Sequence, residues 1–272
     1  MANNFNHTDM RLVESKFEVV DFDAEKTKRL IERVGRTCYR SESKIQEGSA
    51  SEFIKMIVKR GHTSILEHSQ ISVLFTVSRG IADEIRTHRV GNSFAMESTR
   101  YCNYGKSDIE FVIPVWVIDH WESIREMLTE IPEKYKITDR AFSSQDLSVW
   151  ANGLVSYARK VLSDNLMRFE EVFNLINPIY FWMSSLCDSE SKYKNLLRMG
   201  LKPQAARGVL PLDLRTCIWV TGNLRSWKHY MDLRDNNAAH PDMRDVMHSL
   251  HLFLHDSFSE VFNGVLTGRV DI

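Results

Sequence analysis

The sequence predicts an α+β fold. The segments that read as strands all fall within the first 115 residues. From Ile118 to about Gly200, and again near the C-terminus, apolar residues recur every three or four positions instead. Strands early and helices late is the order of an α+β chain rather than of alternating βαβ units. No internal repeat or low-complexity stretch interrupts this order, and Pro and Gly are too sparse to mark a firm domain boundary.

Taken in order, a strand is expected over 16–22, where Phe17, Val19 and Val20 precede Asp21 and Asp23. Asp23 is placed to cap a helix running to about Tyr39, with Leu30, Ile31 and Val34 at helical spacing. Ser51 is expected to cap a short helix over 52–60 that Gly61 stops. The clearest strand is 71–78, where Ile71, Val73, Phe75 and Val77 alternate with Ser72, Thr76 and Ser78. A helix over 81–88 follows. Gly91, Asn92 and Ser93 break it, so that the residues after them read as a loop. A further strand is expected over 109–115. Within the long helical region, 136–145 reads as a connecting loop. The last helices are expected over 221–234 and 241–258, the second opened by Pro241 in its first turn.

Composition excludes several classes. Lys plus Arg number 35 and Asp plus Glu 36, giving a net charge of −1. Such a balance gives no general attraction for a nucleic-acid backbone or an anionic membrane, so any anion must be met by a local cluster. No apolar run reaches the length of a membrane span, and the opening Met1-Ala-Asn-Asn-Phe-Asn lacks the basic-then-apolar layout of a secretion signal. Cys38, Cys102, Cys187 and Cys217 are widely spaced with no CxxC, which argues against a zinc knuckle or disulfide scaffold. The expectation is a reduced, cytoplasmic protein that binds neither nucleic acid nor membrane.

Three clusters carry the polar chemistry. The densest is Arg86-Thr-His-Arg-Val-Gly-Asn-Ser-Phe-Ala-Met-Glu-Ser-Thr-Arg100-Tyr101. Its guanidinium groups suit bidentate binding of phosphate or carboxylate; a solvated basic turn paired with Glu84 and Glu97 is the ordinary alternative. A second cluster holds Asn223, Arg225, Ser226, His229 and Arg234 on one helix, with Arg207 upstream. Asn and His can donate and accept at the edge of a heterocycle, and an Arg in a cleft can stabilise charge developing on a ring. A plain polar helix face explains the same residues. The third is Gly61-His-Thr-Ser-Ile-Leu-Glu-His68, whose two histidines are six apart and share no helix face. Asp245, His248, His251 and His255 can share one, as a metal site would require, but interleaved Met247, Leu250, Leu252 and Leu254 make an amphipathic helix the plainer reading, and no metal is expected. Gly-x-Gly-x-x-Gly, a Walker loop, His-Glu-x-x-His and Gly-x-Ser-x-Gly are all absent.

Together these clusters resemble the flavin-dependent thymidylate synthase (ThyX) family. Arg36-Thr-Cys-Tyr39 is similar to the family's Ala-Arg-x-Cys-Tyr segment. Gly61 to His68, with the strand ending Val77-Ser-Arg79, is the second part. His88-Arg89 to Ser98-Thr-Arg100-Tyr101 resembles the signature Arg-His-Arg-x7-Ser. The fourth part is Arg207-Gly-Val-Leu-Pro211 with Asn223-Leu-Arg225 and Leu233-Arg234. Thr87 stands where the signature has its first Arg, one residue is inserted near Asn92, and His229 stands where the family has Asn.

The resemblance implies a ThyX-like fold, a twisted antiparallel or mixed sheet flanked by helices. It implies one catalytic domain over 1–272, with an enlarged helical insertion at about 116–200. It implies a methyltransferase of dTMP biosynthesis that reductively methylates dUMP, with methylenetetrahydrofolate as one-carbon donor and NADPH-reduced FAD as hydride source. Ser64, Thr87, His88, Arg89, Val90, Glu97, Asn223, Leu224, Arg225 and His229 would contact FAD. Glu84, Ile85, Arg86, Thr87, Glu97, Ser98, Thr99, Arg100, Arg207 and Arg234 would contact dUMP. Arg234 would be the catalytic group against the pyrimidine, and Ser98 a substrate contact rather than a nucleophile. The active site would be shared between subunits of a homotetramer. Three other readings stand beside it: 5-hydroxymethylation of a pyrimidine nucleotide by the same chemistry, a catalytically silent nucleotide- or RNA-binding relative, and a metal-dependent hydrolase using His248, His251 and His255.

Overall fold

A computed structural model describes residues 10–128, 130–137 and 141–263. The N-terminal hexapeptide read above lies outside them. In chain order the elements are β1 (Met10–Val13), β2 (Lys16–Val20), α1 (Ala24–Cys38), α2 (Ser49–Lys59), β3 (Ile71–Ser78), α3 (Arg79–Ile85), β4 (Asn92–Met96), β5 (Glu110–Val112), α4 (Val115–Met127), β6 (Ala141–Phe142), α5 (Ser144–Val161), α6 (Leu166–Arg198), α7 (Pro203–Ala206), β7 (Arg215–Gly222), α8 (Leu224–Arg234) and α9 (Pro241–Ser257). The α+β expectation holds. Short 3₁₀ helices, including Thr63–His68, join some of these elements.

Packing divides the chain into two compact units. The first comprises 10–14, 78–80 and 97–216 of the described residues. Its sheet has the order β5-β1-β6, with β1 parallel to β5 (Leu12 opposite Phe111) and antiparallel to β6 (Met10 opposite Phe142). Helices α4, α5 and α6 cover it with Trp121, Ile124, Trp150, Leu154, Ile176, Ile179 and Met183, all buried. Helix α6 runs 33 residues through Pro178. Proline has no N–H for the i−4 carbonyl, so the helix forgoes a bond there and is held by its buried face.

The second unit comprises Ser15–Val77, Ile81–Met96 and 217–263. Its sheet has the order β2-β3-β7-β4. Strands β2 and β3 are antiparallel with Phe17 opposite Phe75, and β4 and β7 are antiparallel with Phe94 opposite Val220. The inward residues of β3 are the four that the alternation singles out, Ile71, Val73, Phe75 and Val77. Helix α9 turns Met243, Val246, Met247, Leu250 and Leu254 to the same core, as its amphipathic spacing predicts.

Local signals held well. Asp23 caps α1, its side chain accepting from Lys26 N at 2.9 Å. Gly61 stops α2 with φ 73. Several expectations need correction. Helix α2 starts two residues before the expected Ser51 cap, behind Gly48 at φ 77, while the Ser49 hydroxyl donates to buried Glu32. The region 136–145 is not a plain loop among its described residues. It contains β6, and a capping box built by Ser143 and Asp146 starts α5. Residues after Gly91 do not form a loop but β4, and the helix expected from Thr221 is instead the end of β7 followed by α8. In both cases the ladder between β4 and β7 supplies the hydrogen bonds that a loop would leave to water.

Candidate active site

In the second unit the polar cluster is organised by α8. Asn223 caps this helix, its side chain accepting from Ser226 N at 2.9 Å. Removing that acceptor in Asn223→Ala should destabilise the protein by about 1 kcal/mol; chemical denaturation with no shift in midpoint would contradict this. From the cap, helical spacing sends Leu224, Trp227, Tyr230 and Met231 into the core. Arg234, one turn beyond Tyr230, reaches α3 and the turn after it. Its Nε donates to His88 Nε2 at 2.9 Å and its Nη1 to Glu84 Oε2 at 3.3 Å. The His88 ring lies 4.4 Å from the Tyr230 ring and 6.0 Å from His229. Burial first, then the Arg234 guanidinium, then His229, hold the His88 imidazole below its ordinary pKa. The Tyr230 phenol donates to Ile85 O at 2.7 Å and is pushed up by burial.

The turn at 87–91 is closed by Asn92, whose amide donates to His88 O at 2.9 Å and to Val90 O at 3.2 Å. Gly91 has φ 75, and a side chain there would strike the Ser226 hydroxyl of α8. Only glycine lets the turn lie this close. Ser226 Oγ in turn donates to Val90 O at 3.3 Å. Arg225 pairs with Glu67, and Leu224 N donates to Ser69 Oγ at 2.8 Å, which ties α8 to the Thr63–His68 turn. Ser64, Thr87, Arg89, Val90 and His229 are exposed around this junction, Val90 to 91%. Arg86 is bound to Asp83. Ile85 and Leu224 are fully buried in the core, so their side chains are closed to a ligand and only main-chain atoms remain.

The first unit holds the second group. Arg207 Nη1 donates to Thr99 Oγ1 at 3.0 Å. Glu97 is held on three sides: Tyr104 OH donates to Oε1 at 2.5 Å, Arg215 Nη1 to Oε2 at 3.2 Å, and Arg79 Nη1 to its carbonyl at 3.1 Å. Arg215 also pairs with Glu110 at 3.5 Å. Burial and the Glu97 carboxylate push the Tyr104 phenol far up, so it stays a donor. A cavity of about 540 Å³ lies elsewhere, beside Arg36 and Lys44 in the second unit, whereas the Glu97, Tyr104 and Arg215 network borders one of about 360 Å³. Arg100 is exposed with its guanidinium over the Tyr101 ring. Sequence reasoning missed Arg79, Tyr104 and Arg215 as supports. Arg215 lies on β7, which was not expected as a strand. Tyr104 sits only seven residues after Glu97, but nothing in that spacing marks the contact.

The histidine face of α9 has a structural explanation. His248 and His251 place Nδ1 on the buried Asp235 carboxylate, the latter at 2.6 Å, and His255 lies beside Asp256. Asp235 follows Arg234, so this bond anchors the end of α8 on α9. Among the described residues no group of three or more His, Cys, Asp or Glu is arranged to hold a metal ion, and no helix is long and apolar enough to cross a membrane.

The family described as thymidylate synthase complementing protein matches residues 18–256. The chain belongs to this family. The match covers both groups of residues above. Among curated members, the flavin-dependent thymidylate synthase of Corynebacterium efficiens is 28% identical over 229 residues, 83% of this chain and 74% of that one. The enzyme of the same name from Mycobacterium tuberculosis is 29% identical over 225 residues, 82% and 73% of the two chains. In fold the chain resembles the UMP/dUMP methylase PolB from Streptomyces cacaoi, solved with 5-Br dUMP, with a TM-score of 0.59, 18% identity and coverage of 93% and 95%. The same methylase with 5-Br UMP aligns with a TM-score of 0.58. The ThyX-like fold expected from the motifs is therefore the fold of this chain.

Proposed function

We propose that the protein is a flavin-dependent thymidylate synthase that methylates dUMP to dTMP. The observation that carries the reading is the Arg234 guanidinium at the end of α8, fixed by Glu84 and His88 inside a chain whose family and curated relatives bear that activity. The expected site residues stand as proposals. In the second unit Ser64, Thr87, His88, Arg89, Val90, Asn223, Arg225 and His229 would hold FAD, with Leu224 through its main chain. The residues fit the group: exposed guanidinium and hydroxyl donors around an exposed apolar Val90 suit a ligand that joins phosphates to a flat ring. When bound, FAD would supply the redox chemistry, with NADPH as reductant and methylenetetrahydrofolate as carbon source.

For dUMP, Ser98, Thr99, Arg100 and Arg207 would serve its anionic end. Glu84, Arg86, Thr87 and Arg234, with the Ile85 main chain, would serve its base. Glu97, with both carboxylate oxygens already bonded, would set the position of Ser98 to Arg100 more than bind directly. Uracil C5 becomes nucleophilic when negative charge on the ring is stabilised, and a fixed guanidinium supplies that stabilisation electrostatically. No covalent enzyme nucleophile is needed. The proposal extends to a cytoplasmic homotetramer with shared sites and to residues 116–200 as a helical insertion in one catalytic domain.

The test is a flavin spectrum of the purified protein and product identification with dUMP, methylenetetrahydrofolate and NADPH. A yellow protein yielding a product heavier than dUMP by CH2 is expected. A protein that cannot be loaded with FAD, or a product heavier by CH2O, would overturn the reading. Arg100→Ala should weaken dUMP binding by about 1.5–3 kcal/mol if the phosphate contact is desolvated. Calorimetry with no loss of affinity would remove Arg100 from the site.

A further inference from the structure

We infer that His88 is a positioning residue for Arg234: as a neutral imidazole carrying its proton on Nδ1, it accepts the Arg234 Nε–H, so the guanidinium is aimed only while His88 is uncharged. This rests on the reading of Arg234 as the group that meets the pyrimidine.

The assignment follows from donor and acceptor roles. A guanidinium has only donors. At 2.9 Å, the nitrogen facing Arg234 Nε must therefore offer its lone pair, and that nitrogen is Nε2. The proton of the neutral ring is then on Nδ1. With Nε bonded to His88 and Nη1 to Glu84 Oε2 at 3.3 Å, the guanidinium plane is held at two points and Nη2 remains to be presented. His88 is itself fixed. Its ring packs on Tyr230 at 4.4 Å, and its carbonyl accepts from Asn92.

Protonation removes the acceptor and places a second cation against Arg234. The charged and titratable groups around His88 decide how costly that is. From α8 they are Arg234, His229 and Tyr230. From α3 it is Glu84, which acts through Arg234 and is itself partly exposed. Nearby Arg86 is already paired with Asp83. Two of these groups oppose a proton on His88, and the one carboxylate is engaged with Arg234. The folded protein therefore keeps His88 neutral to a lower pH than an ordinary histidine. The sign follows. Between the lowered folded value and the usual 6.5, the unfolded chain binds more protons, so the stability from this contact is complete above 6.5 and is lost as pH falls through the folded value. Aimed Arg234 is lost at that same lower value.

The experiment uses FAD-loaded protein with 15N-labelled histidine. At neutral pH the expected spectrum has, beside the Nδ1-protonated rings that donate to Asp235, a further imidazole with Nδ1 protonated and Nε2 bare. This signal disappears in His88→Gln, and its titration midpoint lies below 6.5 and rises in Arg234→Gln. A His88 ring protonated on Nε2, or a midpoint unmoved by Arg234→Gln, overturns the inference. For turnover, kcat of the wild type should fall on the acid side with the His88 midpoint. In His88→Gln, whose amide oxygen can accept the same N–H, turnover is lower but that acid limb is flattened. An unchanged acid limb in His88→Gln also overturns it. If His88→Gln does not fold, the tautomer and the Arg234→Gln shift decide the question. Protein that makes no dTMP at any pH sinks the proposed function, while the spectra still decide the role of His88.

Discussion

Replacing Arg234 by Ala is expected to lower dTMP formation by about 10²–10³-fold, while FAD stays bound. The guanidinium is a fixed donor, bonded through Nε and Nη1 to His88 and Glu84, and it needs no reorganisation when charge develops on a substrate ring. Alanine leaves His88 and Glu84 in place but removes the donor. Those two side chains lie at the edge of the core rather than inside it, so the loss should fall on turnover more than on folding. The decisive measurement is single-turnover formation of dTMP alongside flavin absorbance. Wild-type turnover in the variant would remove Arg234 from the chemistry. Loss of flavin together with turnover would instead assign it to cofactor binding.

Trp227→Ala should cost about 3–5 kcal/mol of stability. Trp227 is fully buried, its ring 5.2 Å from Tyr230 and 6.3 Å from Phe75, and its Nε1 donates to Ile71 O at 3.3 Å. Truncation opens a cavity between β3 and α8 and removes a donor from a strand carbonyl in the core. Urea unfolding should show the loss as a lower midpoint at unchanged slope. A change below about 1 kcal/mol would mean that the site collapses around the gap. Because Trp227 and Tyr230 seat the helix that ends at Arg234, the surviving folded protein should also turn over more slowly than the stability loss alone explains.

The two predictions meet in α8, which shows how far the residues themselves can be read. Asn223, Arg225, His229 and Arg234 stand out in the chain because their types and helical spacing suit a polar face. Asn223 starts the helix by a rule that acts over three residues. Its partners are another matter. His88 and Glu84 lie about 150 residues upstream of Arg234, by the separations of 146 and 150 in the two bonds. No local pattern encodes those contacts. The same holds for Glu97, which the family resemblance implies as a ligand contact but whose oxygens are taken up by Tyr104 and Arg215.

Strand β7 marks the opposite kind of miss. Arg215-Thr-Cys-Ile-Trp-Val-Thr-Gly222 alternates in the strand period, with Thr216, Ile218, Val220 and Gly222 buried. The strand signal is in the residues, but the helix predicted from Thr221 overlaps it, starting three residues before the first residue of α8, Leu224. With β7 unread, β4 lost its only visible reason to be a strand. Asn92 to Met96 is short, follows a turn and gains its ladder from β7.

By itself the sequence determined the α+β class, the cap of α1, the stop at Gly61, the inward face of β3 and the family, because each rests on interactions within a few residues or on motifs in fixed order. Only the tertiary structure decided that β4 and β7 pair, that Ile85 and Leu224 are sealed in the core, that the α9 histidines serve Asp235, and that His88 and Glu84 hold Arg234. Pairing register and side-chain contact depend on which distant surfaces the packed core brings together, and residue type and spacing carry no distance across that separation.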